Sequence, residues 1–424
     1  MMNDKQIHQI KEENKRLKSI LHVAQSLQSE LDIKRLLGKI MSEVKKILQA
    51  DRCTVFLVDD ETNELWSFVA MGLKGGEIRF PKDKGIAGHV AVTGEILNIP
   101  DAYKDERFNP DIDKKTGYRT KSMLTMPMRN QAGEIIGVFQ VLNKHDGPFT
   151  TEDEEVLDAI SHIAATAVEN ALLYEEQVLA LNSFIEMLSQ ILDKRDYITS
   201  GHSWRVTQYA IEIAKKMQFD FDQLEKMRIA GLLHDIGKIG IPEAVLFKDG
   251  PLDDEEYKLI KSHAYLTKEI LESIRFQKKY RDIPQIAASH HEKLNGNGYP
   301  DKLKMEEIPL GGRILAVADV FDALTSKRQY RDRDPLEKVL NLIERELHET
   351  FDEQVFKAFL SIDLSTMFHI MEHQNNHLFN DKELAKLKEW TIGDFYSLIS
   401  SATEVDETYE EIMDVFLKYY WQKY

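Results

Sequence analysis

The spacing of apolar residues changes along the chain, and the changes divide it. Ile7, Ile10, Leu17, Ile20 and Leu21 recur every three or four positions in a polar background, which predicts an N-terminal helix over 1–30. A second amphipathic helix is predicted over 31–48. The period then shortens to two. Segments 53–58 and 65–69 read as strands around the turn DDETN. Segments 77–80, 123–129 and 134–142 read as further strands, the last two joined by NQAG, and a long loop covers 101–121. Residues 31–150 are therefore expected to form an α+β domain, an antiparallel sheet flanked by helices. At Thr151 the helical period returns, with Glu154 three places on in a capping-box arrangement. Apolar positions continue through Val156, Ile160, Ile163, Ala167, Ala171, Tyr174, Val178, Leu181, Ile185, Leu188 and Leu192, and neither glycine nor proline intervenes before Gly201. A helix over 151–195 would be roughly 65 Å long. A stripe so long and narrow suits a two-stranded coiled coil, so a homodimer through the helices is expected. The alternative is a linker helix buried within one chain. Beyond it every pattern is helical: a domain over 196–352, then an acidic, aromatic-rich helical tail over 353–424 in which no motif is legible.

The chain has 424 residues, enough for two or three domains with proper cores. No apolar run approaches the roughly 18 residues needed to span a bilayer, and the polar N-terminus is no signal peptide, so no membrane association is expected. The single cysteine, Cys53, sits in a predicted strand, reads as a small core residue and fits a reducing, cytoplasmic setting. The net charge of −17 disfavours nonspecific nucleic-acid binding. It does not disfavour a small phosphate-bearing ligand, because a metal ion and a few arginines make one cleft positive.

Histidine and aspartate then supply the candidate chemistry. His202, His234, Asp235, His263, His290, His291 and Asp319 follow one another in an order hard to obtain by chance. These residue types hold first-row metals that assist hydrolysis, and the lone cysteine excludes a thiolate zinc site. Two metals sharing a bridging carboxylate can hold a hydroxide nucleophile and a phosphate together. Asp235, beside His234, is the natural bridge. His290 and His291 are adjacent and diverge on a helix, so both ligate only if a helix end faces the metals. Lys238, a turn after His234, would reach a phosphate oxygen. Arg328 and Arg331 suit a second phosphate. His369, His373 and His377 fall at helical spacing but read as a solvated stripe.

The runs GHSWRV, LLHDIGKIGIP, HHEKLNGNGYP and ILAVADVFDALTSKRQYR resemble the HD-GYP family of bacterial phosphodiesterases that hydrolyse cyclic di-GMP. The resemblance covers about 182–352, and the element Gly298-Tyr299-Pro300 separates this family from generic HD phosphohydrolases. It implies an all-α domain with two divalent metals, Fe or Mn. One would be held by His202, His234, Asp235 and Asp319, the other by Asp235, His263, His290 and His291. It further implies that Lys238, Arg328 and Arg331 hold phosphate and that Tyr299 lines the substrate cleft. Three departures stand out. Asn295 replaces the usual Asp before the glycine, Gln329 replaces a proline, and Ile198 occupies the place of a glutamate that recruits a third metal in some members.

ADRCTVFLVDD, GIAGHVAVTGEILNIPDAYKDERFNPDIDKKTGYRTKSMLTMPM and GVFQVLNK resemble GAF domains, in particular the cyclic-nucleotide-binding kind of mammalian phosphodiesterases and cyanobacterial adenylyl cyclases. The resemblance covers about 30–175. It implies a pocket lined by Arg52, Thr54, Ile86, Ala87, Thr116, Thr120 and Gln140. It also implies a lid built from Asn143, Lys144, Phe149, Asp153 and Glu154 and closed by a Lys–Asp ion pair. A cyclic purine mononucleotide is then the expected effector. Two alternatives stand beside this reading: an HD hydrolase for another nucleotide or cyclic dinucleotide, and a catalytically silent scaffold whose aromatic tail is a contact surface.

Overall fold

The computed structural model describes residues 4–27, 30–67, 77–195, 201–327, 332–400 and 407–421. The chain divides into two compact units, Met1–Ala180 and Leu181–Tyr424.

The first unit begins with helices α1 (Asp4–Leu27) and α2 (Ile33–Ile47), the latter capped by Asp32, whose carboxylate accepts from Arg35 N at 2.9 Å. Strands β1 (Ala50–Asp59), β2 (Glu64–Ser67) and β3 (Ile78–Pro81) follow, then helix α3 (Gly85–Thr93), strand β4 (Leu97–Ile99), helix α4 (Pro110–Thr116), and strands β5 (Met123–Arg129) and β6 (Ile135–Lys144). The sheet is antiparallel throughout, in the order β3-β2-β1-β6-β5-β4. Alternation along β5 separates its two faces. Leu124, Met126 and Met128 join a core with α2 and the start of helix α5 (Thr151–Arg195), whereas Met123 packs with Ile86 of α3 and Ile99. Cys53 is buried in the first of these cores, and burial pushes its thiol pKa up, as expected of a structural cysteine.

The sequence pattern misses α3, β4 and α4. GIAGHVAVT is apolar nearly all round and carries no helical period to detect, and β4 is only three residues long. The α5 cap also lies one residue earlier than expected. Thr150 Oγ1 accepts from Asp153 N at 3.4 Å and the Asp153 carboxylate accepts from Thr150 N at 2.8 Å, so the box is Thr150–Asp153, not Thr151–Glu154. The expectation of no membrane-length apolar segment needs correcting too. By length and composition α5 could cross a membrane, its best 18-residue window having a mean hydropathy of 1.3. Leu157, Ile160, Ala164, Ala165 and Val168 account for much of that apolarity and are fully buried in the sheet core.

The second unit holds the end of α5 and the helices α6 (His202–Lys216), α7 (Phe221–Leu233), α8 (Glu243–Leu246), α9 (Asp254–Glu272), α10 (Ile283–Ala288), α11 (Leu310–Thr325), α12 (Leu336–Arg345), α13 (Glu353–Leu360), α14 (Leu364–Met371), α15 (Asp381–Leu387), α16 (Ile392–Ser400) and α17 (Glu407–Tyr420). One hydrophobic core runs from Ile185 to Tyr420. Phe395, Tyr396, Phe416, Tyr419 and Tyr420 of the tail are buried in it. These five aromatics therefore serve as packing for the helices that precede them, and Trp421, near the end of the tail, stays exposed. His369 lies on α14 while His373 and His377 lie in a 3₁₀ turn, so the three do not share an α-helical face.

Candidate metal centre and sensor pocket

Every sequence-predicted metal ligand lies at or near one centre. His202 is the first residue of α6, His234 caps the C-terminus of α7, and Asp235 opens a 3₁₀ turn over Ile236–Gly240. His263 comes from α9 and Asp319 from α11. His290 and His291 sit in a 3₁₀ turn just after α10 ends, which is how two adjacent histidines face one site. The approach of α9 requires Gly237, where a Cβ would collide with the His263 carbonyl and the Thr267 amide. Gly298 likewise packs on Glu292 and Lys293, and the buried Glu292 carboxylate accepts from the Asp301 and Leu303 amides at 2.7 and 3.0 Å, holding the loop that carries Tyr299.

Three of the histidines are oriented in the same way. His234, His263 and His290 each donate Nδ1–H to the carbonyl three residues back, those of Gly231, Ile260 and Ala287, at 2.7, 2.6 and 2.7 Å. This bond fixes the tautomer and leaves each Nε2 with a lone pair. The lone pairs converge. His263 Nε2 is 3.4 Å from His290 Nε2, and the Asp235 carboxylate is 3.5, 3.4 and 3.9 Å from the Nε2 atoms of His234, His263 and His290. His234 Nε2 is fully buried and has no hydrogen-bond partner among the described residues. Acceptors facing acceptors in a dry interior are costly unless a cation lies between them. The donor atoms form three overlapping groups, each within 4.8 Å: His263, His290 and His291; His202, His234 and Asp319; and His234, Asp235 and His290. This donor set fits divalent metal, with Asp235 placed to be shared.

Electrostatics agree with the donor set. Burial holds the pKa values of His234, His263 and His291 down, and that of His290 at about 4, so these rings are neutral donors near pH 7. Burial alone would raise the pKa of Asp235, but Lys238 and the surrounding imidazoles hold it well below the carboxylate range. His202 differs. Burial opposes its protonation, yet the carboxylates of Asp319 and Asp322 override this and raise its pKa to about 9. Its Nε2 is 3.1 Å from Asp319 and its Nδ1 donates to Asp322 at 2.8 Å.

Asp322 and Arg205 are the residues that sequence reasoning missed. Arg205 Nε and Nη2 hold the buried Asp322 at 2.7 and 3.0 Å, and Asp322 in turn orients His202. Both stand inside quoted motifs; the signal was the second aspartate of ADVFDAL, one turn after Asp319. Thr267 is a third such residue, its hydroxyl donating to His234 O at 3.0 Å and accepting from Gly237 N at 3.0 Å. Lys238, expected to meet phosphate, is 2.7 Å from Asp235. Tyr299 lies against His291, ring centroids 4.8 Å apart, with Lys261 Nζ 5.3 Å from its ring. Asn295 is exposed and accepts from Asn297 N at 2.9 Å, a turn bond an aspartate makes equally well. Arg328, Gln329, Arg331 and Ile198 lie outside the described residues.

A sequence profile of the HD domain matches residues 186–355 and one of the GAF domain matches residues 32–168. The chain joins a GAF domain to an HD domain. It is 38% identical over 178 residues to the 3′3′-cGAMP-specific phosphodiesterase 3 of Vibrio cholerae, covering 42% of this chain and 38% of that protein. It is 37% identical over 199 residues to the cyclic di-GMP phosphodiesterase of Thermotoga maritima, covering 47% and 53%. To the dual 3′,5′-cyclic-AMP and -GMP phosphodiesterase 11A of Takifugu rubripes it is 40% identical over 178 residues, covering 39% and 20%. The chain thus spans about half or less of each of these relatives.

In the GAF domain the Lys–Asp ion pair expected from sequence is present, between Lys144 and Asp153. Asn98 Nδ2 donates to Phe149 O at 3.0 Å and to Glu154 at 2.7 Å. Asn143, in the left-handed region at φ 55°, donates to Tyr118 OH and Arg119 O at 2.8 and 2.9 Å and accepts from Lys121 N at 2.6 Å. Of the expected pocket residues, Ile86 and Ala87 are buried on α3, and Thr54 lies directly opposite Gln140 across β1 and β6. Thr120 is buried with its hydroxyl donating to Asp113 at 2.8 Å, and Arg52 stacks 3.6 Å over the Tyr118 ring. Thr116 is the last residue of α4. The Gly88 amide, beside Ile86 and Ala87 on α3, donates to Lys84 O at 3.1 Å. One further residue belongs with these. Thr125 lies opposite Gln140 on β5, on the sheet face shared with Met123 and α3, and its fully buried hydroxyl has no hydrogen-bond partner among the described residues. Thr54, Gln140 and Thr125 thus make a polar row beneath α3.

Proposed function

We propose that the chain is a cytoplasmic, homodimeric, metal-dependent phosphodiesterase of the HD-GYP kind. It would hydrolyse the phosphodiester bonds of cyclic di-GMP under the control of a cyclic purine mononucleotide bound at the GAF domain. The convergence of unprotonated Nε2 atoms around Asp235, with the orphaned His234 Nε2 among them, is the observation that carries the reading. His202, His234, Asp235 and Asp319 would hold one metal ion, and Asp235, His263, His290 and His291 the other, with Fe or Mn suited to this mixed imidazole and carboxylate set. Bound there, two such ions supply a nucleophilic oxygen at neutral pH and stabilise charge on the attacking and leaving oxygens.

The chain's own residues do the rest. Asp235 keeps its charge at any working pH and so can be shared between two cations. Asp322 and Arg205 hold the His202 ring in place. Lys238 carries a cation at the edge of the donor set and would exchange Asp235 for a phosphate oxygen. The Tyr299 ring offers a face for a purine base, and Arg328 and Arg331 would take the second phosphate. In the GAF domain the Thr54–Gln140–Thr125 row would meet a purine edge, and the Lys144–Asp153 pair would close the lid over it.

A second substrate is favoured by one finding, the 38% identity to a 3′3′-cGAMP-specific enzyme. Purified protein loaded with Mn²⁺ or Fe²⁺ should be given cyclic di-GMP, 3′3′-cGAMP, cAMP and cGMP in turn, with products separated by chromatography. Linear dinucleotide or GMP from cyclic di-GMP, at a rate changed by cAMP or cGMP, is expected. Turnover of 3′3′-cGAMP alone would move the substrate to that dinucleotide. No turnover of any by fully metallated, folded protein would sink the enzymatic reading in favour of a signalling scaffold.

A further inference from the structure

The last turn of α5 grips two segments of the candidate metal site. The Asp193 carboxylate accepts from Gly201 N and Ser203 Oγ, both at 2.9 Å, on either side of His202. Arg195 Nη1 donates to Lys238 O at 3.1 Å and to Ile239 O at 2.6 Å, and its Nη2 donates to Ile241 O at 3.0 Å. Those carbonyls end the 3₁₀ turn that begins at Asp235 and carries Lys238. Carbonyls at the end of a helical turn bear partial negative charge, and of these three that of Lys238 also accepts from Ile241 N at 3.0 Å. A planar guanidinium satisfies three of them in one fixed geometry, which an ammonium on a flexible stem cannot do. At its other end the same unbroken helix carries, in its first turn, Asp153 of the Lys144–Asp153 ion pair.

We infer that Asp193 and Arg195 are positioning residues, through which the last turn of α5 sets where His202, Asp235 and Lys238 stand. A shift or rotation of α5 then reaches the site as a change in rate, and the helix that begins at that ion pair ends at the clamp. Neither residue touches substrate in this account. The inference rests on the proposed reading of the site as hydrolytic, and its test is chosen to separate the two.

Full-length Arg195→Ala, Arg195→Lys and Asp193→Asn proteins, loaded with Mn²⁺, are compared with wild type by amide hydrogen exchange and by kinetics. In Arg195→Ala, exchange should quicken in 236–241 while metal content per chain stays at the wild-type level. Its kcat should fall about tenfold or more, as for other residues that orient a metal site from behind. Its KM should stay within roughly twofold, because substrate contacts are intact. Arg195→Lys should lie between the two, and the response of the rate to cAMP or cGMP should weaken in the order wild type, Lys, Ala. In Asp193→Asn, exchange should quicken at the start of α6. Wild-type exchange and wild-type kcat in Arg195→Ala would overturn the inference. Should the wild-type chain hydrolyse none of the cyclic nucleotides, the functional reading fails, and the exchange arm alone decides the clamp: quickened 236–241 supports it and unchanged exchange overturns it. If Arg195→Ala does not fold, Arg195→Gln, with two amide donors in place of the guanidinium fork, is read in the same way.

Discussion

The seven candidate ligands were legible as residues because each stands in or beside a short run whose neighbours also have work to do. What the sequence could not show was which nitrogen each ring presents. That follows from backbone carbonyls at Gly231, Ile260 and Ala287, which carry no side-chain signature. Asp322 was hidden for a related reason: an aspartate one turn after Asp319 reads as a helix-surface charge until the fold buries it against His202 and Arg205. Two substitutions separate the roles. Asp235→Asn removes the charge placed to be shared, so hydrolysis should be abolished and bound metal lowered; activity within about tenfold of wild type would refute the shared-carboxylate assignment. Asp322→Asn leaves every ligand in place but loosens His202, and should cost about 10–100-fold in rate or metal affinity, measured by metal analysis and kcat on the same preparation. The histidines also set a pH signature for chelated protein. His202, raised from 6.5 to about 9, contributes stability that is complete below 6.5 and lost as pH rises through about 9. His290, lowered from 6.5 to about 4, contributes stability present above 6.5 and lost as pH falls through about 4. Metal-free protein should therefore melt highest near pH 6.5 in the second unit, which Trp204, Trp390 and Trp421 report by fluorescence. A melting temperature that rises steadily from pH 6.5 to 9 would contradict the His202 environment.

Among elements, those with a clear pattern were anticipated and those without one were not. The strands β1, β5 and β6 are apolar runs bounded by turn residues and were placed within a few residues, and α5 was placed almost to its ends. Helix α3 escaped because a helix packed over a sheet by Ile86, Ala87, Val90 and Ala91 has no polar face to set its period. That matters for function, since α3 and the polar row on β1, β6 and β5 are the two walls of the proposed sensor pocket. The Lys144–Asp153 pair was legible because it joins charges at a fixed offset: Lys144 ends β6, Asp153 lies in the first turn of α5, and the two are paired. Lys144→Ala should weaken binding of the cyclic purine mononucleotide by isothermal calorimetry on ligand-stripped protein, and Asp153→Ala should do so too while also losing the Thr150 cap. Thr125→Val removes only the orphaned hydroxyl, so it should reduce affinity without lowering the melting temperature of the first unit. Heat absent with both cAMP and cGMP on folded, ligand-free wild type would remove the cyclic-nucleotide reading and leave the row in need of another ligand.

For the whole molecule, the apolar stripe first read along the linking helix turns out to be mostly spent. Val156, Ile160 and Ala171 are buried in the core of the first unit, and Ile185 and Leu192 in that of the second. Tyr174, Val178 and Leu181 of that stripe stay exposed, and a second set lies outside beside them. Leu173, Gln177, Ala180, Phe184, Met187 and Ile191 follow one another alternately four and three residues apart, and all six are exposed. Leu173, Phe184, Met187 and Ile191 are 50%, 53%, 44% and 51% exposed, costly for large apolar side chains in water. Such spacing is the seam of a two-stranded coiled coil, and the occupant that matches a heptad face residue for residue is a second copy of the same helix. We propose these six residues as the seam of the homodimer expected through this helix. Light scattering of wild type at micromolar concentration should give twice the 49.1 kDa chain mass. Phe184→Glu together with Met187→Glu places like charges opposite one another across the seam and should shift the population to monomer. Leu181→Glu, on the neighbouring exposed position, should not. A wild-type mass of one chain would remove the seam, and a dimer indifferent to the double substitution but broken by Leu181→Glu would move it to the adjacent face.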